Sequence, residues 1–394
     1  MSSPSVLKQS PSFAWLWAVI PLALLAALIA IFINSDPLKP LGVSAPPIES
    51  LTVERVTLDD TGIHLQVRAD GSEPISIAQI QVDGAYWMFT QSPAGELRRL
   101  QTATLDIPYP WVQDETHHLT ILSKTGVPFE HEIAVATPTP SFSWSRLLAF
   151  ALLGIYVGVV PVSLGLLFFP YLRTLGQRGL QFLLALTLGL LGFLLVDTLQ
   201  EGLELAAGAA GAFQANALVW LAAGLSFLIL MAVGRRKGHA PEGLSLASYL
   251  ALGIGLHNLG EGLAIGAAFA IGEAALGSFL VIGFTLHNIT EGIGIAAPLT
   301  KHKTNLGVFI ALAALAGLPA VLGTWVGAFA FSPHWAALFL GIGVGAILQV
   351  MVEVGAYLAR TSHHDERNWL SLGNLTGFSL GLTIMYFTAF FVNI

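Results

Sequence analysis

Two neighbouring apolar stretches decide how this chain reads: Gly255-Leu-His257-Asn258-Leu-Gly-Glu261-Gly262-Leu-Ala-Ile-Gly266 and Thr285-Leu-His287-Asn288-Ile-Thr-Glu291-Gly292-Ile-Gly-Ile-Ala296. The second repeats the pattern of the first thirty residues further on. Each lies within a run long enough and apolar enough to cross a bilayer, where ionisable side chains are costly and usually functional. His and Glu at i and i+4 share one helix face, with Asn one position round from His. A turn near Gly272 to Ala274 makes the two helices antiparallel, and all four His and Glu side chains then fall about 20 to 25 Å from that turn, in one layer. Two carboxylates and two imidazoles at one depth make a metal site. Such donors suit divalent Zn, Fe, Mn or Co, and a chain with no cysteine has no thiolate to favour Cu(I). Two ionised glutamates also offset the charge of a buried dication. The bland reading, His and Glu as structural hydrogen-bonding partners across a helix pair, loses ground because the motif occurs twice beside glycine.

The composition agrees with a lipid environment. Of 394 residues, 54% are hydrophobic and 10% charged, far below the roughly 25% charged of soluble chains, so the bilayer is the main partner. The net charge, 17 − 24 = −7, offers no basic footprint for nucleic acid. Forty-one glycines without a collagen period point to close helix contacts, and the absence of cysteine excludes disulfides and thiol nucleophiles. Nine apolar runs stand out, near Trp15 to Ile33, Leu147 to Phe169, Leu180 to Leu203, Ala212 to Val233, Leu246 to Ile271, Ala275 to Leu299, Leu306 to Phe331, Trp335 to Leu358 and Leu372 to Ile394. The first exceeds the h-region of a signal peptide and reads as a retained anchor. Arg173, Arg178, Arg235, Arg236, Lys237, Lys301, Lys303, Arg360 and Arg367 all fall in alternate short loops, which are therefore cytoplasmic. This predicts a multi-pass cell-membrane protein with a cytoplasmic N-terminus and an extracytoplasmic C-terminus.

Between the first two runs the period changes. Leu51 to Leu58, Ile63 to Val67 and Ile75 to Val82 alternate polar and apolar residues, with turn signals at Asp60-Thr-Gly62, Asp70-Gly71 and Asp83-Gly84. About seven short strands predict a small immunoglobulin-like β-sandwich outside the membrane. The expected domains are 1–36 (N-terminus and anchor helix), 48–138 (β-domain) and 144–394 (helical bundle), with proline-rich linkers at Pro37 to Pro47 and Thr137 to Ser141. His117, His118 and His131 offer a way to present metal to the bundle, though an assembly or shielding module is the preferred reading.

At the paired motifs the sequence resembles the ZIP (Zrt/Irt-like protein) family of divalent-metal transporters, whose fourth and fifth helices carry an HNxxEG-type motif and a relative with a tail like Ile293-Gly-Ile-Ala-Ala-Pro-Leu299. The resemblance spans the eight runs from Leu147 onward. It implies an eight-helix bundle with inverted three-helix repeats flanking the two site helices, and inward metal transport by alternating access. It also implies that His257, Glu261 and Glu291 form the primary site, with Asn258 and Asn288 at a second metal position that shares both glutamates. Ala320 stands where the family often has a further glutamate, and Gly260 and Thr290 replace the proline often found before each motif glutamate.

Other polar residues suggest a route. Asp197, Glu201 and Glu204, at i, i+4 and i+7, stand at the outer end of the third run, where they collect cations or simply face solvent. Gln349 and Glu353 stand in the inner half of the eighth run and are candidates for release, while His239, His302, His363 and His364 lie in inner loops. Homodimeric assembly is left open. An intramembrane metal hydrolase is the first rival, but the HExxH helix is missing, since His131-Glu132 lies in the strand region, so no enzyme is expected. A metal sensor is the second rival, and no cytoplasmic output domain supports it.

Overall fold

The computed structural model describes residues 16–35, 48–139, 141–236, 241–270, 274–363 and 369–392. It divides into a unit up to Ile48 and a unit from Glu49 onward. The first contains α1 (Leu16–Ser35), a helix of 20 residues that is apolar on every side. The predicted linker from Pro37 to Pro47 lies outside the described residues.

The second unit begins with eight strands: β1 (Leu51–Asp59), β2 (Gly62–Ala69), β3 (Ile77–Val82), β4 (Ala85–Trp87), β5 (Thr90–Ser92), β6 (Thr102–Ile107), β7 (His117–Ser123) and β8 (Pro128–Ile133). They form two antiparallel sheets, in the orders β1-β2-β6-β5 and β4-β3-β7-β8. The alternation read in the sequence is the inward face of each strand. Ile63, Leu65 and Val67 from one sheet meet Ile80, Val82, Leu119 and Ile121 from the other in a shared core. On the outer face of β2, His64 sits opposite Asp106 of β6, its Nδ1 2.6 Å from Asp106 Oδ1 and its Nε2 3.1 Å from Asp59 Oδ1. Burial disfavours the charged ring, but the hydrogen bonds and charges of Asp106 and Asp59 outweigh it and raise the His64 pKa. A histidine raised in this way contributes stability below its unfolded pKa and loses it as pH rises through the folded value. His64→Gln should therefore weaken β2 and β6 at pH 5.5, by no more than about 1 kcal/mol because both aspartates are well exposed, and scarcely at pH 8.5. Amide exchange of these strands in the full chain measures it, and an equal loss at both pH values would rule the ion pairs out.

The remaining elements are helical. An irregular first segment comprises α2 (Trp144–Gly154), a π turn (Ile155–Val159), α3 (Val160–Leu167) and α4 (Phe169–Leu172). There follow α5 (Gln177–Ala207), α6 (Ala215–Gly234), α7 (Gly243–Ala270), α8 (Ala274–Ala296), α9 (Leu306–Ala330), α10 (Pro333–His363) and α11 (Leu372–Val392). Among the described residues, six helical stretches, 144–172, 177–207, 211–234, 280–299, 306–330 and 333–362, are long and apolar enough to cross a membrane, which is consistent with a multi-pass membrane protein. The other three of the nine apolar runs correspond to α1, α7 and α11, helices of 20, 28 and 21 residues. Glycines and the motif side chains lower the apolar content of α7.

Helix contacts are as close as the glycines allow. A methyl group on Gly262 of α7 would overlap the carbonyl oxygen of Ala320 on α9, and one on Gly323 of α9 would overlap that of Leu259 on α7. Small residues thus let the two backbones touch, as is common in membrane bundles. The β-sandwich docks on one end of the bundle. Arg55 donates to the Phe329 carbonyl at 3.1 Å, the Gly211 amide donates to Asp70 at 2.7 Å, and the Arg68 guanidinium lies over the Phe213 ring. The connections it meets, α5–α6 and α9–α10, carry no Lys or Arg. A 31-residue helix is about 46 Å long, so Arg178 at the start of α5 lies at the far end, with Arg235 and Lys303 likewise.

Candidate metal centre

The site is assembled where α7 and α8 are each held against a second helix. Asn258 of α7 donates from Nδ2 to the Ala316 carbonyl of α9 at 2.9 Å, and Asn288 of α8 donates to the Val157 carbonyl of the first segment at 3.1 Å. The two halves mirror each other further along: Gly262 packs on Ala320, four residues after Ala316, whereas Gly292 packs on Val162, five residues after Val157. The extra residue is the π turn Ile155–Val159. Its cause is in the sequence, because Pro161 has no N–H to give the Val157 carbonyl in an α-helical pattern, leaving that oxygen for Asn288.

The four motif His and Glu side chains lie in one layer, as the spacing predicted, none more than 3% exposed. Glu261 Oε1 is within hydrogen-bonding distance of both rings, 2.8 Å from His257 Nε2 and 2.5 Å from His287 Nε2, and its Oε2 accepts from Asn288 at 3.2 Å. Glu261 therefore bridges the two imidazoles. Glu291 differs: neither of its oxygens has a partner. Nδ1 of His257 and Oδ1 of Asn258 and Asn288 are partnerless as well. Buried polar groups are normally satisfied, so the two partnerless oxygens of Glu291 beside two buried imidazoles are a strong indication of a cation. Donor atoms of His257, His287 and Glu291 all lie within 4.8 Å of one another, and small side-chain rotations bring them to the roughly 3.3 Å spacing that tetrahedral bonds of about 2 Å to one ion require. That trio is buried throughout. The expected primary trio contained Glu261 in place of His287; the structure brings all four together and gives Glu261 the additional task of orienting both rings.

The route residues separate into two groups. Asp197 and Glu201 of α5 are within electrostatic reach of the site, Asp197 of both histidines and Glu261, and Glu201 of Glu261. Glu204, which acts on both, lines a cavity of about 360 Å³ that it shares with β1, with His131 and its neighbours at β8, and with Phe331 and Pro333. Gln349 and Glu353 of α10 are fully buried toward the basic end. Among the outer histidines, His117 is buried against Asp83, its Nδ1 2.8 Å from Oδ2, and Tyr109 donates to that same oxygen, so it serves the sandwich. His118 is exposed and His131 faces the cavity. His302 is exposed, whereas His239, His364 and the side chain of His363 lie outside the described residues. Sequence reading did not find the carbonyls of Val157 and Ala316, although Pro161 was a visible sign of the first. No family model matches the chain, and no curated protein matches it.

Proposed function

We propose that this chain carries divalent cations, of the Zn, Fe, Mn and Co class, across a membrane through the site formed by His257, His287, Glu291, Glu261, Asn258 and Asn288. The carrying observation is the partnerless carboxylate of Glu291 grouped with the imidazoles of His257 and His287, all buried in the middle of an apolar bundle. The resemblance to the ZIP family favours the same reading. The packing supports it as well: α7 lies on α9 as α8 lies on α3, and α5 lies on α11 as α10 lies on α6. Such mirrored pairs are what inverted repeats around two site helices would produce. The pairs are unequal, for α10 lies along α7 whereas α5 only brushes α8, as alternating access demands of any single state.

In this reading an ion enters beneath the β-sandwich, whose strand order is that of an immunoglobulin-like fold. Carboxylates of Glu204, Glu201 and Asp197 replace its water stepwise, and the imidazoles with Glu291 take the ion. Rearrangement of the bundle then opens a path toward the basic end, which the distribution of Arg and Lys assigns to the cytoplasm. The test is flux. Vesicles containing the purified chain should take up Zn²⁺ or Mn²⁺ saturably, with competition among divalent ions and none from Na⁺ or K⁺. Protein-independent leakage alone would overturn the assignment.

A further inference from the structure

A second polar cluster lies on the path from the site to the basic end, and its partner is a protein cation. Gly343 of α10 abuts the His257 backbone, and Gly253, one turn from His257 on α7, abuts the next part of α10. A Cβ on Gly253 would lie 2.9 Å from Gln349 Oε1, so that amide oxygen covers the bare backbone of the site helix. Glu353 follows one turn later. Counted from Gly343, the two side chains stand about 9 and 15 Å along α10.

Both are buried, and neither is satisfied. Gln349 Oε1 and Glu353 Oε2 have no partner, and the other Glu353 oxygen has the contact with Arg235 Nη2 at 3.3 Å. That contact is single and long, against the 2.7–2.9 Å usual for charge-assisted bonds, and the Arg235 side chain is 47% exposed while Glu353 is 1% exposed. A pair kept only for stability would satisfy both carboxylate oxygens, because a buried charge is otherwise expensive. Two free oxygens and one loosely held carboxylate oxygen instead match the preference of a divalent cation. Arg235 caps the last turn of α6 and can swing into solvent without disturbing a helix.

We infer that Gln349 and Glu353 form a second divalent-cation station between the central site and the basic end, and that Arg235 is a tethered competitor that occupies Glu353 until an arriving dication displaces it. The tether keeps the buried carboxylate neutralised while the station is empty. It also weakens the station, so that the ion is released rather than trapped. The inference rests on the carrier reading for its purpose, but the station is tested separately.

Equilibrium binding of Mn²⁺ to the purified full chain decides it, with Arg235→Gln, Arg235→Lys and the double variant Arg235→Gln/Glu353→Gln beside the wild type. Arg235→Gln should strengthen one binding event by about tenfold, and its uptake should show lower KM and lower kcat together. Arg235→Lys should stay near the wild type, and the double variant should lose the gain. Thermal melting checks folding, with Arg235→Ala in reserve if the glutamine variant does not fold. An unchanged isotherm in folded Arg235→Gln, or the same gain in the double variant, overturns the station. A gain in Arg235→Gln without any binding that depends on Glu291 would uphold the station and reject the central site.

Discussion

Glu291→Gln should leave the chain folded and reduce divalent-cation uptake by about a hundredfold or more. The substitution keeps the shape of the side chain, and in the structure neither carboxylate oxygen takes part in a hydrogen bond that could be lost. Folding stability should be equal to the wild type or slightly higher, since a buried unpaired carboxylate is a burden on the empty site. What disappears is charge. A dication between Glu261 and Glu291 is balanced, whereas with Gln at position 291 one positive charge is left uncompensated inside an apolar bundle. An uncompensated buried charge costs about 3 to 5 kcal/mol, and each 1.4 kcal/mol is a factor of ten in occupancy. Glu261→Gln should behave differently: it disturbs the contacts to His257 and His287, so the melting temperature falls together with uptake. Vesicle uptake and thermal melting of both variants separate the roles. Normal uptake by folded Glu291→Gln would remove this residue from the ion's path.

The site was legible because its chemistry is out of place. Histidine and glutamate one helical turn apart, twice, within apolar runs, have few reasons to exist in lipid, and the antiparallel turn fixed their common depth without any knowledge of tertiary packing. The sandwich was legible through its period of two, which located β1, β2 and β3 and suggested about seven strands where eight are described; β4 and β5 are the least visible. Each is three residues long and lies largely at the surface, so neither shows an alternation. The tethers of Asn258 and Asn288 could not be read. They end on carbonyls 58 and 131 residues away in the chain, and no local pattern encodes which helix a side chain will face. The pairing of Arg235 with Glu353 is hidden for the same reason, across 118 residues.

Placing a glutamate at position 320 should unfold the bundle rather than add a second ion. The resemblance to ZIP transporters marks this position as one that often supplies a further metal ligand, and the sequence alone leaves room for Ala320→Glu to restore it. The backbone around it does not. Ala320 is fully buried, its carbonyl is covered by Gly262 of α7, and a Cβ on Gly158 of the first segment would lie 2.8 Å from the Ala320 Cβ. The space a longer side chain would need is occupied by two main chains, which cannot move aside as a flexible side chain can. Overpacking costs about 1 to 3 kcal/mol, and an unpaired buried carboxylate adds as much again, a total comparable with the whole stability of many domains. Gly262→Val should be nearly as harmful from the other side of the seam, without any new charge. Melting temperature and detergent-extracted yield measure both, and added Zn²⁺ should rescue neither. If Ala320→Glu instead folds and binds two dications per chain, α9 can leave its seat on α7 and the first segment, and the close packing at Ala320 does not limit the number of ions.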